Sequence, residues 1–351
     1  MSFLERFRAL AWFFGAAAWF LFSDLIADRA AQGLSMSDAQ EPLHRIFLLF
    51  LLILGYTLMG RLGQRRVTAA TAMGLARRPG RRHEFGLGAA LGWGAVVICV
   101  LPTALIGGLT VTAFTSAHQF YVTILDLIAL FAGTLAIEVA FRGYGFQRLV
   151  EAMGPAVATL FIALIYAVWR THANDTSTAS ALVSFFLGWA LALAAVRTRA
   201  VWVSWGLHFA WVGAMTMLFG LPVASSMNYS PILATNARGP VWVTGGFQGP
   251  EGSAFAVLVS FALLFAVVKV TSELRHQYGY PEIVPGGIPV DLDAAARRQH
   301  EAAMEHSATQ EPQLVQILPV QNVPSWAPPA PPIAAEPPAS AREETGDNPA
   351  E

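Results

Sequence analysis

The apolar positions of this chain fall into blocks at about 9–27, 45–60, 86–110, 120–141, 153–169, 178–196, 200–218 and 253–271. Most approach the roughly 20 residues that carry a helix across a hydrocarbon core at about 1.5 Å per residue. The second block is short, and the fourth has room to continue past Arg142. The pattern predicts an all-α fold, a polytopic membrane bundle of about eight transmembrane helices. Met1 to Arg8 is short and basic ahead of the first block, which is too long and too rich in Trp and Phe for a signal-peptide core. An uncleaved first helix is expected. From Ser272 the chain turns polar. Val290 to Ser307 is rich in Ala, Arg and Glu and predicts a surface helix. From Pro312 onward proline dominates, as in Trp326-Ala-Pro-Pro-Ala-Pro-Pro. Such sequence favours extended polyproline II and buries no core, so a disordered tail is expected.

Three regions result: 1–84 with two helices and a basic loop, 85–271 with the helical core, and 272–351 as the tail. Composition agrees. Of 351 residues, 55% are hydrophobic and 13% charged, whereas soluble domains carry about 25% charged residues. The net charge of −1 averages membrane helices with a polar tail and carries no information of its own. The distribution of arginine does. Arg61, Arg65, Arg66, Arg77, Arg78, Arg81 and Arg82 follow the second block and predict a cytoplasmic loop. Their charge also suits anionic lipid. Val111 to His118 has no Lys or Arg, and 219–252 has only Arg238, so both are expected outside. Both termini then lie in the cytoplasm of a multi-pass protein of the cell (inner) membrane. Cys99 is the sole cysteine, which excludes an intrachain disulfide and reads as a small buried residue. The lipid bilayer is the expected surrounding, nucleic acid is not an expected partner, and the Pro-rich tail is a candidate docking segment for a cytoplasmic partner.

Few polar groups interrupt the blocks, and each ionised one costs roughly 2.5–3.5 kcal/mol inside a bilayer unless it has a partner or a task. Asp24 and Asp126 lie near block ends and are expected to reach the interface. Glu138 and Arg142 are four apart, on one helix face, and can pair. A buried carboxylate there can serve as a base or stay ionised against the arginine. His208, in Trp205-Gly-Leu-His-Phe-Ala-Trp211, can donate to an oxyanion, relay a proton or bind a metal. Arg170 and His172 close the fifth block, as interfacial anchors or as part of a site.

Taken together, these segments resemble the CPBP family of intramembrane peptidases, also called the CAAX protease and bacteriocin-processing, or Abi, family. Its first motif, Glu-Glu-x-x-x-Arg, is matched by Ile137-Glu138 to Arg142 and the following Gly143. Its second, Phe-x-x-x-His, falls on Tyr166 to Arg170. Its third, His-x-x-x-Asn or Asp, falls on His208 to Val212. The Gly-rich stretch of bacterial members is similar to Gly245-Gly-Phe-Gln-Gly-Pro-Glu-Gly-Ser253. The resemblance covers roughly 85–270 and implies a CPBP-peptidase-like core.

It also implies roles. In the family the first Glu activates water beside the second-motif His, and the third-motif Asn helps its His hold the oxyanion. Here those three positions are Ile137, Arg170 and Val212. Isoleucine accepts no proton, and arginine stays protonated. The implied catalytic candidates are therefore Glu138, Arg142, His208 and, two residues past the expected histidine, His172. The same Glu138, His172 and His208 are candidate ligands for a divalent metal such as zinc. If active, the chain would be a metallo- or glutamate-type endopeptidase acting on a membrane-bound or lipidated peptide. The alternative is a catalytically inactive member serving as a membrane scaffold or regulator. A transporter is disfavoured, since no inverted repeat is visible.

Overall fold

The computed structural model describes residues 3–34, 37–63, 69–113, 115–172, 176–223, 229, 233–272, 274, 282–283, 289–290 and 292–309. The Pro-rich segment beyond Pro312 lies outside them. The fold is an all-α polytopic bundle, as the blocks predict. Its helices are α1 (Phe3–Gly33), α2 (Gln40–Gly63), α3 (Ala69–Ala72), α4 (Arg81–Leu105), α5 (Ala117–Arg142), α6 (Tyr144–Met153), α7 (Pro155–Thr171), α8 (Thr178–Thr198), α9 (Trp202–Gly213), α10 (Val241–Thr244) and α11 (Ala254–Val270). A π-helical turn, Ala214–Leu218, continues α9, and a 3-10 segment, Gly246–Gly252, precedes α11.

Six segments are long and apolar enough to cross a membrane: 3–33, 40–63, 81–105, 117–153, 178–198 and 246–270. Two of the eight expected spans fall short. Helix α7 has 17 residues, bounded by Gly154-Pro155 at its start. Helix α9 has 12 before it widens into the π turn. The fourth span does run past Arg142, because α6 follows α5 after the single residue Gly143. Nor does the third block stay helical to 110. Residues Leu109–Ala113 form β1, antiparallel to β2 (Leu233–Ala237), with Leu109 opposite Ala237 and Ala113 opposite Leu233.

Serines set three helix starts. Ser116, Ser177 and Ser253 accept from the amides of Gln119, Ser180 and Ala256 at 3.1, 3.2 and 3.1 Å. Each satisfies a backbone donor that has no partner within the helix. Helix α4 crosses α9 with the two backbones touching. A Cβ on Gly88 would overlap Val203 O, one on Gly92 would overlap Leu207 O, and one on Gly206 would overlap Phe85 O. The Gly88-x-x-x-Gly92 spacing is thus a close helix contact. It fixes the helix that carries His208. Cys99 is buried on α4.

The compact unit ends at Ala294, and a second begins at Ala295. The expected surface helix appears as α12 (Leu292–Thr309), with residues 296–304 exposed.

Candidate functional site

Glu138 sits one turn before the end of α5, and α6 continues beyond it, so the carboxylate is deep rather than terminal. It is fully buried. Its Oε1 accepts from Arg142 NH1 at 3.1 Å and from His208 Nδ1 at 2.9 Å. A carboxylate only accepts, so the imidazole donates through Nδ1. In the neutral ring, Nε2 then accepts from the Tyr166 hydroxyl at 3.3 Å. Arg142 closes the ring of contacts. Its NH2 donates to Gly188 O at 3.2 Å, and its guanidinium stacks on Tyr166, 4.6 Å from the ring centre. Such a stacked cation is attracted by the face of the ring. Both imidazole nitrogens are therefore engaged. Glu138 Oε2 has no hydrogen-bond partner. The Ser204 hydroxyl lies beside the carboxylate but donates to Val201 O at 3.1 Å.

One turn further along α7 and α9 lies a second set. Arg170 follows Tyr166 by four residues, and Trp211 follows His208 by three. Arg170 NH2 donates to Glu251 Oε1 at 2.6 Å, and NH1 donates to Ser184 Oγ at 3.2 Å. Trp211 Nε1 donates to the same Glu251 oxygen at 2.6 Å. Arg170 is 4% exposed and Glu251 is fully buried. The carboxylate arrives on the Gly-rich stretch, where Gly245 (φ 76°) and Gly249 (φ 63°) take left-handed backbone that a side chain would strain. Gln248 anchors the same stretch, its Oε1 accepting from Ser177 N at 2.9 Å and Ser180 Oγ at 2.6 Å.

The structure thus brings Glu138, Arg142 and His208 together. Ile137, beside them in sequence, is buried in the apolar core, as is Val212. It does not bring in His172. That residue caps the end of α7, is exposed, and donates through Nδ1 to Trp169 O at 2.6 Å. The helix ends as a regular αR turn, so no bulge swings the ring inward. Of the candidate metal set, Glu138 and His208 therefore meet, and His172 lies apart from them. Among the described residues, no three His, Cys, Asp or Glu side chains form a group that could hold an ion. Asp24 pairs with His44 at 3.1 Å. Asp126 is 5% exposed. Glu41, Arg45 and Asp126 all influence Tyr229, whose hydroxyl burial pushes above its ordinary range.

Sequence reasoning missed Glu251 as a member of the site, although a signal was present. A buried arginine at position 170 demands a carboxylate, and Glu251 is the acidic residue of the one motif stretch left without a role.

A bundle with six helices long and apolar enough to cross a membrane thus buries a carboxylate, an arginine and a histidine drawn from two motif segments. The family model described as type II CAAX prenyl endopeptidase Rce1-like matches residues 118–214. That segment, which carries Glu138, Arg142, Arg170 and His208, is what the chain has in common with the CAAX prenyl endopeptidase family. No curated protein and no solved structure matches it.

Proposed function

We propose that this protein is a non-hydrolysing member of the CAAX protease family, which holds a membrane-anchored or lipidated polypeptide as a scaffold or regulator. One observation carries the reading. The second-motif position, where the family places a histidine beside the attacking water, holds Arg170, and its guanidinium is tied to Glu251 at 2.6 Å. General-base hydrolysis needs an acceptor within hydrogen-bond reach of the water. Ile137 and Arg170 offer none, and the imidazole of His208 is engaged at both nitrogens.

A second reading has its own support. Glu138 Oε2 is buried without a hydrogen-bond partner, and a water there would meet a carboxylate backed by Arg142 and His208. In that case Glu138 is the base of a glutamate-type endopeptidase, taking the proton of the water as its oxygen attacks the peptide carbonyl.

The deciding experiment uses full-length protein in lipid nanodiscs and a panel of membrane-anchored peptides, with a competent family member alongside. Binding of panel peptides without cleavage by the wild type, while the competent relative cleaves, is the expected result. Cleavage by the wild type that disappears in Glu138→Ala would overturn it in favour of the peptidase.

A further inference from the structure

Arg77, Arg78, Arg81 and Arg82, with Pro79, line a surface cavity of about 420 Å³ at the start of α4. The four arginines do not play the same part. Arg78 turns inward. Its Nε donates to Glu84 Oε1 at 2.7 Å, its NH2 also contacts the Glu84 carboxylate, and its NH1 donates to Thr198 O at 2.8 Å. Glu84 is fully buried and is the only carboxylate between positions 77 and 84. Arg77 and Arg82 are exposed, and Arg81 is half-buried. The cavity wall thus carries guanidinium groups with no carboxylate among its lining residues.

The segment is also held in shape. Val201 N donates to Gly74 O at 2.9 Å, and Trp202 Nε1 donates to Ala76 O at 2.9 Å. It sits at one end of a spanning helix that presents Trp93, Ile98 and Leu101 outward. The boundary between a spanning helix and its polar end is the level at which lipid phosphates lie. A guanidinium presents paired N–H donors that match two oxygens of a phosphate.

We propose that this arginine-lined cavity binds the phosphate of an anionic phospholipid headgroup. Arg77, Arg81 and Arg82 supply the contacts, while Arg78 holds the cradle against the α8–α9 corner. Because that corner starts the helix bearing His208, a seated lipid also braces the site.

The test is lipid retention by the full-length protein, taken from nanodiscs of phosphatidylcholine mixed with phosphatidylglycerol and read by native mass spectrometry. The wild type is expected to retain phosphatidylglycerol in preference to phosphatidylcholine. Arg82→Ala should lower that preference about fivefold, the weight of one basic residue at an anionic surface, and Arg77→Ala with Arg81→Ala should lower it further. Arg297→Ala with Arg298→Ala, which removes two exposed charges from α12, should leave it unchanged. Wild type without preference, cradle variants equal to wild type, or an equal loss in the α12 variant would each overturn the proposal. Displacement of the lipid by inorganic phosphate alone would also overturn it, assigning the cavity to a soluble anion.

Discussion

The two buried polar layers use the same chemistry and are built differently. The layer at Glu138 is mostly local: carboxylate and guanidinium share one helix face, and Arg142 keeps a carbonyl and an aromatic face besides its carboxylate. The layer at Arg170 is made at long range, between α7 and a Gly-rich segment 81 residues away. Among the described residues, its arginine has Ser184 as a further hydrogen-bond acceptor. Without its carboxylate, the first layer's arginine still has a carbonyl and a ring face, although Arg142 Nε is buried without a hydrogen-bond partner. The second depends on one carboxylate.

This difference ranks the effects of substitution. Glu251→Ala leaves Arg170 buried and the Trp211 N–H without an acceptor, and should cost about 3–5 kcal/mol. Thermal unfolding in nanodiscs would show it as the deepest drop of the series. Replacing both partners, Arg170→Met with Glu251→Leu, should return most of that loss, since removing a whole buried pair is often neutral. A double variant as unstable as Glu251→Ala alone would show that the segment, not the charge, is what matters. Glu138→Gln keeps the shape but weakens two charge-assisted bonds, for an expected loss of about 1.5–3 kcal/mol by the same measurement. If it exceeds Glu251→Ala, the ranking of the two layers is reversed. Gly206→Ala pushes a methyl into Phe85 O at the α4–α9 crossing and should cost about 1–3 kcal/mol. Tyr166→Phe removes one neutral hydrogen bond to His208, worth about 1 kcal/mol. His172→Ala should change stability by less than about 0.5 kcal/mol, as for an exposed side chain outside both layers.

Which parts of this were legible follows from how each contact is made. Apolar blocks and the Glu138–Arg142 spacing are local patterns, and a one-dimensional reading recovers them. The Gly88-x-x-x-Gly92 spacing is visible along the chain, but its partner, α9, is not. His172 was misplaced because counting residues past Arg170 says nothing about where the helix stops, and α7 stops there. The β1–β2 pair and the Arg170–Glu251 bond join segments far apart in sequence, so no window along the chain contains them. Glu251 was still within reach of a charge argument, since a buried guanidinium leaves few acidic candidates in so apolar a chain.

Helix α7 supplies one residue to each layer, Tyr166 and Arg170, and it is short. Its 17 residues rise about 26 Å at 1.5 Å each, against a hydrocarbon core of about 30 Å. Val157, Leu164 and Val168 are exposed along it, so this helix faces lipid. Acyl chains beside it must shorten to match, at a fraction of a kcal/mol per Å. Were α7 to cross the hydrocarbon core unaided, the bilayer would thin where the polar layers lie. On the proposed function, a polypeptide tethered in the membrane would then meet the thinnest part of the bilayer beside Tyr166 and Arg170.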